Sequence, residues 1–238
     1  MASSAASENQ RGSRLVVRVS RKLVIFGTRQ IAEVLGWYFA HDSDYEIVAY
    51  TVDAEFLAEG EFQGRPVVAF EEVAREFAPD AHAMFVALSY AKMNSIRAAK
   101  YAAAKELGYR LASHVSPRAS AWAGLPLGDN SFVMENNVVQ PFSRIGSNTF
   151  LWAGNHIGHH AVIGDHCFLA SHIVVSGATA VGDHCFIGVN ATLRDGITVA
   201  ERCLIGAGAL IMADTQPEQV FLAQATEASR VPSSRVRM

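Results

Sequence analysis

The sequence predicts an α/β domain followed by a parallel β-helix, and three observations carry that expectation. Fifteen residues, all Leu, Ile or Val, recur at every sixth position from Leu127 through Val133, Val139, Ile145 and onward to Ile211. With half the chain apolar, such a run arises by chance in one register about once in thirty thousand. A six-residue period suits neither a 3.6-residue helix nor an alternating strand. It suits a stacked coil, in which each repeat forms one face and buries its apolar residue only against its neighbours.

The remaining repeat positions agree. Glycine follows the periodic residue at 128, 146, 158, 164, 182, 188 and 206, where a turning chain has little room for a Cβ. Four places after the periodic residue stands a small one, as at Thr149, Ala161, Cys167, Thr179, Cys185, Ala191, Cys203 and Ala209. The three cysteines, eighteen residues apart, therefore stack inside the prism if three faces make a coil. They read as buried small hydrophobes, neither a disulfide nor a metal site.

Before residue 117 the pattern changes. Leu23–Phe26 is a short apolar run ended by Gly27, as expected of a buried strand, and a helical pattern follows through Ile31, Leu35 and Tyr38. A second strand spans 45–52 and ends at Asp53. A helix over 70–77, a strand over 83–88, a helix over 91–107 and a strand over 109–113 complete the alternation, which implies a parallel sheet with helices on its faces. The chain divides into a disordered tail (1–20), an α/β domain (21–116), the coil domain (117–216) and a C-terminal tail (217–238).

In such sheets ligands gather at the carboxyl ends of the strands. Gly27, Thr28 and Arg29 lead into a helix N-terminus suited to phosphate. Asp53, Ser89 and Tyr90 follow other strands on the same edge. With one glycine of a dinucleotide fingerprint, the loop is open to two readings, a ligand loop or a plain turn.

Six of the nine histidines lie at 156, 159, 160, 166, 172 and 184. His159 falls in a turn, with Pro141 eighteen residues before it and Gly177 eighteen after. An imidazole above a glycine corner leaves space for a ligand and exposes backbone amide, the setting a general base beside a thioester needs. His166 and His184 share the phrase Gly-Asp-His-Cys and read as repeat positions. Corners also tolerate histidine as plain surface, and imidazoles from neighbouring subunits could meet on zinc.

Bulk properties bound the partners. The net charge is −3, with 20 basic and 23 acidic residues, and no basic stripe suggests nucleic acid or an anionic membrane. No stretch of about eighteen apolar residues offers a bilayer span. The start lacks the apolar core of a signal peptide, and three unpaired cysteines suit a reducing compartment, so a cytoplasmic location is expected.

A short α/β domain before hexapeptide coils, with Asn155-His156-Ile157-Gly158-His159-His160-Ala161-Val162-Ile163-Gly164-Asp165, resembles the NeuD and PglD type of bacterial β-helix acyltransferase. The motifs Ser89-Tyr90…Asn94…Arg97 and Gly188-Val189-Asn190-Ala191-Thr192 extend the resemblance over nearly all of 20–212. It implies a Rossmann-like first domain, a left-handed β-helix and a homotrimer. It implies an acetyltransferase that moves acetyl from acetyl-CoA to the amine of a nucleotide-linked amino sugar for surface glycans, with no metal. By the match His-x-x-x-Ile-Gly the catalytic histidine is His159, and His160 takes the place held in some members by an acidic residue. Acetyl-CoA is expected to meet Phe168, Gly177, Val189 and Ala207; Phe168 stands where some members carry histidine. The nucleotide sugar is expected at Gly27, Thr28, Arg29 and Asp53, with Ser89, Tyr90 and Asn155 also placed at the substrate. Three rivals stand beside this: sugar O-acetylation, a metal-dependent hydratase of the γ-carbonic-anhydrase type, and a non-catalytic nucleotide-sugar-binding scaffold.

Overall fold

A computed structural model of the chain describes residues 21–235. The expected disordered tail over 1–20 lies outside the described residues.

The α/β domain is a six-stranded sheet. Its elements are β1 (Arg21–Phe26), α1 (Gln30–Asp42), β2 (Tyr45–Val52), β3 (Glu61–Phe62), β4 (Arg65–Ala69), α2 (Val73–Glu76), β5 (Ala83–Val86), α3 (Ser95–Glu106) and β6 (Arg110–Leu111). The strand order is β3-β4-β2-β1-β5-β6, parallel except for the antiparallel β3–β4 hairpin at one edge. That hairpin was not expected. Its turn places Gln63 and Gly64 both at positive φ, the geometry of a tight two-residue hairpin. Pro66 sits in β4, where it lacks an N–H to donate.

The two ends of the expected helix over 91–107 behave differently. Lys92, Met93 and Asn94 all have φ between 50° and 63°, so the right-handed helix begins only at Ser95. The expected helix over 70–77 shrinks to the single turn Val73–Glu76.

The coil domain is a three-sided prism of two-residue strands. The first face stacks His114–Val115, Phe132–Val133, Phe150–Leu151, Phe168–Leu169, Phe186–Ile187, Leu204–Ile205 and Val220–Phe221. The second runs from Ser120–Ala121 through Val138–Val139, His156–Ile157, Val174–Val175 and Thr192–Leu193 to Leu210–Ile211. The third runs from Arg144–Ile145 through Val162–Ile163 and Ala180–Val181 to Thr198–Val199. Partners differ by eighteen residues, as in Val138↔His156 and Phe150↔Phe168, except the last pair of the first face, Leu204↔Val220. This is the three-faced coil that the hexapeptide period implied. The ladder extends past both ends of 117–216, from His114 to Phe221.

The periodic residues fill the prism: Val133, Ile157, Leu169, Val175, Ile187, Leu193 and Ile205 are all fully buried. Burying each such side chain is worth about 1.5–3 kcal/mol, so stacking supplies the stability that no single six-residue repeat could hold. Cys167, Cys185 and Cys203 are free and buried among them. They continue a column of small donors. Ser131 Oγ donates to the Gly146 carbonyl at 2.7 Å, Thr149 Oγ1 to Gly164 at 2.8 Å, and the Cys167 thiol to Gly182 at 3.1 Å.

Every sixth residue from Gly124 to Gly208 has positive φ. Asn, His and Gly hold most of these corners, the residue types that enter the left-handed region at least cost. His160, His166, His172 and His184 all belong to this set, whereas His159 does not. The histidine-rich stretch is thus largely explained by backbone geometry. The glycines after the periodic residue have another cause, close stacking: a Cβ on Gly158 would lie 2.6 Å from the Gly177 nitrogen.

The two domains meet on the first face of the prism. Its outward residues Phe132, Phe150 and Phe168 join one core with Leu35 and Phe39 of α1 and with Ile25 and Phe85 of the sheet. The opposite side of the sheet packs against α2 and α3 through Phe26, Val73, Met84 and Ala104.

Candidate active site

Parallel pairing of β1 with β2 and β5 puts Gly27, Asp53 and Ser89 on one edge of the sheet. Gly27 needs to be glycine: φ is +118°, and a Cβ there would come within 3.0 Å of the Ala87 carbonyl oxygen. Thr28 is half-buried and Arg29 exposed beside it. Helix α1 starts at Gln30 with no side chain capping its first turn, so its amide end is available to an anion. Asp53 is ion-paired with Lys100 of α3. Sequence reasoning missed Lys100 because only the packing of α3 on the sheet brings it to that edge. Its ammonium also lies 5.1 Å from the Phe70 ring centre and 5.4 Å from that of Phe26.

Two expected substrate or coenzyme residues have other occupations. Asn155 is 1% exposed. Its amide donates to the Trp152 carbonyl at 2.6 Å and its Oδ1 accepts from the Ile173 N–H at 2.8 Å. Both ends of the side chain serve the stacking of corners. Phe168 is 4% exposed and packs 4.9 Å from Tyr90, 5.9 Å from Trp152 and 6.0 Å from Phe186. It belongs to the joint between domains. Tyr90 leans onto the same aromatic column, 4.6 Å from Phe186.

The corner between the second and third faces carries His159. The imidazole lies against Gly177, where a Cβ would fall 2.7 Å from Cε1 and Nε2. Only glycine leaves room for the ring there. Gln140, one coil below, accepts the His159 N–H on Oε1 at 2.9 Å. The residue in Gln140's place one coil up is Gly158, which has no side chain to take the Gly177 N–H. The Nδ1 atoms of His159 and His160 are 3.1 Å apart, a hydrogen bond in which one ring donates and the other accepts. The His160 ring rests 4.9 Å from Phe142, itself 5.9 Å from Trp122. The structure therefore joins His159, His160 and Gly177 at one exposed corner. Val189 and Ala207 stack above one another on a different corner, between the first and second faces.

His166 is a contrast. Its Nδ1 is 2.8 Å from the Asn148 amide, its ring is 4.7 Å from His184 and 5.4 Å from Tyr101, and burial with the neighbouring imidazole lowers its pKa. Among the described residues no three of His, Cys, Asp and Glu form a cluster that could hold a metal ion.

Comparison with known proteins supports this architecture. Residues 142–177 match the family described as bacterial transferase hexapeptide (six repeats), and 178–213 match the hexapeptide repeat of succinyl-transferase. No curated protein matches the chain. Among solved structures, the acetyltransferase domain of PglB from Neisseria gonorrhoeae, in complex with acetyl coenzyme A, is 24% identical over 86% of this chain and 97% of its own, with a TM-score of 0.76. A His-to-Asn mutant of perosamine N-acetyltransferase from Caulobacter crescentus, in complex with CoA and GDP-perosamine, is 22% identical over 85% and 93%, with a TM-score of 0.77. WeeI from Acinetobacter baumannii is 16% identical over 80% and 96%, with a TM-score of 0.53. The expected likeness to the NeuD and PglD type thus holds for the whole fold, an α/β domain joined to a left-handed parallel β-helix whose coils over 142–213 match hexapeptide-repeat models.

Proposed function

We propose that this chain transfers acetyl from acetyl-CoA to the amine of a nucleotide-linked amino sugar destined for a surface glycan. The observation that carries the reading is the His159 imidazole lying over Gly177 with its Nδ1 hydrogen-bonded to His160. With Nδ1–H donated to His160, the free Nε2 is the base. The sugar amine attacks the thioester carbonyl carbon while Nε2 accepts its proton. The carbonyl oxygen becomes an oxyanion, which the Gly177 N–H would receive. Collapse of the tetrahedral species breaks the C–S bond, forming the amide and releasing coenzyme A as thiolate, to which His159 returns the proton. His160 occupies the place held in some members by an acidic residue, and its Nδ1 bond to His159 Nδ1 holds the His159 ring in place.

The α/β domain would hold the nucleotide at Gly27, Thr28, Arg29 and Asp53, the phosphates facing the uncapped start of α1. Ser89 lies on the same edge. Val189 and Ala207 would meet acetyl-CoA from a second protomer. A homotrimer would join their corner to the His159 corner, and it would cover the exposed Val138, Phe142, Val162, Val174 and Leu210. The three unpaired cysteines support a cytoplasmic site of action. No described helix is long and apolar enough to cross a membrane.

The test is a panel of nucleoside-diphosphate amino sugars and their hydroxyl counterparts, incubated with acetyl-CoA and followed by thiol release. Acetylation of an amine, abolished in His159→Asn, is the expected result. Turnover of hydroxyl acceptors alone, or none with any acceptor, would overturn the reading.

A further inference from the structure

Arg97 is a fully buried cation. Among the described residues no carboxylate bonds to it. Its Nε donates to Asn148 Oδ1 at 3.2 Å, Nη1 to the Ser89 carbonyl at 2.9 Å, and Nη2 to the carbonyls of Asn148, His166 and Cys167 at 3.0–3.2 Å. The guanidinium also lies 4.4 Å from the Phe150 ring centre. Burial lowers its pKa to about 9. Burying a guanidinium without a counter-ion is costly unless its donors are met, and here carbonyls from two successive coils and from the α/β domain meet them.

A second, independent feature lies beside it. Lys92, Met93 and Asn94 form a left-handed turn, closed by the Asn94 N–H on the Tyr90 carbonyl at 3.0 Å. No glycine eases it, and left-handed helical backbone costs about 1–2 kcal/mol per residue. Such a turn persists only where its surroundings hold it. What holds it is the buried Asn94 amide, 3.2 Å from both the His184 and Cys185 carbonyls of the coil.

We propose that Asn94 and Arg97 are positioning residues that lock the Ser89–Tyr90 turn, on the ligand edge of the α/β domain, to the first face of the prism. They set how an acceptor anchored in one domain is presented to the acyl-transfer corner of the coil. This rests on the acetyltransferase reading. Only a guanidinium can fork between Ser89 and two coils; the ammonium of lysine is a single point and leaves carbonyls unmet. The left-handed turn aims the Asn94 amide at the coil, which a right-handed start at residue 91 would point elsewhere.

Two variants test it. Arg97→Lys keeps a basic nitrogen and removes the fork; Asn94→Gly keeps the left-handed backbone and removes the amide. Each is compared with wild type on the nucleoside-diphosphate amino sugar that the wild type acetylates fastest and on the same sugar without its nucleotide. The expected result is a KM for the linked acceptor raised about tenfold or more, because a misplaced anchor is felt at the reacting centre. The KM for acetyl-CoA and the rate on the free sugar stay within about twofold, since neither uses the joint. Equal loss on both acceptors would reduce the pair to fold maintenance and overturn the proposal, as would no change on either. Amide hydrogen exchange gives a readout without activity: protection should fall at 89–95 in both variants while the coil and β1 keep theirs. Uniform loss or no loss overturns the proposal even if the wild type acetylates nothing, an outcome that would sink the acetyltransferase reading instead.

Discussion

Two corners of the same prism carry paired imidazoles and make different chemistry of them. At the corner of the second and third faces, His159 and His160 are exposed, bonded Nδ1 to Nδ1, and set against a glycine. At the corner of the third and first faces, His166 and His184 lie under α3, with His166 tied to Asn148 and packed against Tyr101. The repeat supplies the positions in both places, and the α/β domain decides the outcome. Where it covers the corner, the imidazoles become part of a joint; where it leaves the corner open, they face solvent. Histidine count therefore says little, and what each ring lies against says most.

The comparison breaks most visibly by deleting each ring. His159→Asn is expected to lower kcat for acetyl transfer about a thousandfold, the usual loss when a general base is removed. His166→Asn, which suits the left-handed corner, should leave kcat within about twofold. Steady-state rates on folded proteins of equal assembly state check both. Gly177→Ala puts a Cβ where the His159 ring lies and displaces it, so kcat should fall about a hundredfold with little change in thermal midpoint. An unaltered rate would show that the ring position is incidental.

Covered imidazoles should register as pH-dependent stability rather than activity. His114 packs between Phe132 at 4.7 Å, Phe39 at 5.5 Å and Tyr38 at 6.2 Å, and burial pushes its pKa down to about 4. The unfolded chain takes up that proton near pH 6.5 and the folded chain only near 4. Between these values the unfolded state binds more protons, so stability falls as pH drops through that window, by up to about 3 kcal/mol. Denaturant melts at pH 7 and pH 4.5 should show the fall, and His114→Phe should reduce it. The smallest effect concerns Ala178, an alanine at a left-handed corner with φ of 55°. Ala178→Gly should raise stability by about 0.5–1 kcal/mol, read as a higher thermal midpoint.

Legibility followed the same division. The coil could be read because one residue in six is set by one local rule, and that rule repeats. His159 over Gly177 was legible for the same reason, since a spacing of eighteen is a vertical contact in such a prism. The joint was not. Phe132, Phe150, Phe168 and Phe186 also recur every eighteen residues, just before the periodic position. That pattern marks a face apolar on both sides and therefore covered, a signal available in the sequence but outweighed by the carry-over of Phe168 to acetyl-CoA. Asn155 was as hard to read, because a corner asparagine bonded to stacked backbone and one facing a ligand have the same local sequence. The Asp53–Lys100 pair and the Arg97 bonds depend on how α3 lies on the sheet and the coil. Contacts such as Asp53–Lys100 and Arg97–Asn148, 47 and 51 positions apart, leave no local trace. The start of α3 was set four residues early because Lys92, Met93 and Asn94 carry no glycine to announce a left-handed turn.

The central claim is that the open corner performs the transfer. A crystal structure of the chain with acetyl-CoA tests it most directly, through the distance from the thioester carbonyl carbon to His159 Nε2. An attacking amine needs about 3–3.5 Å to the carbon and about 3 Å to its base, so the separation should be roughly 4–6 Å. A thioester bound at another corner, beyond reach of any protomer's His159, would contradict the account.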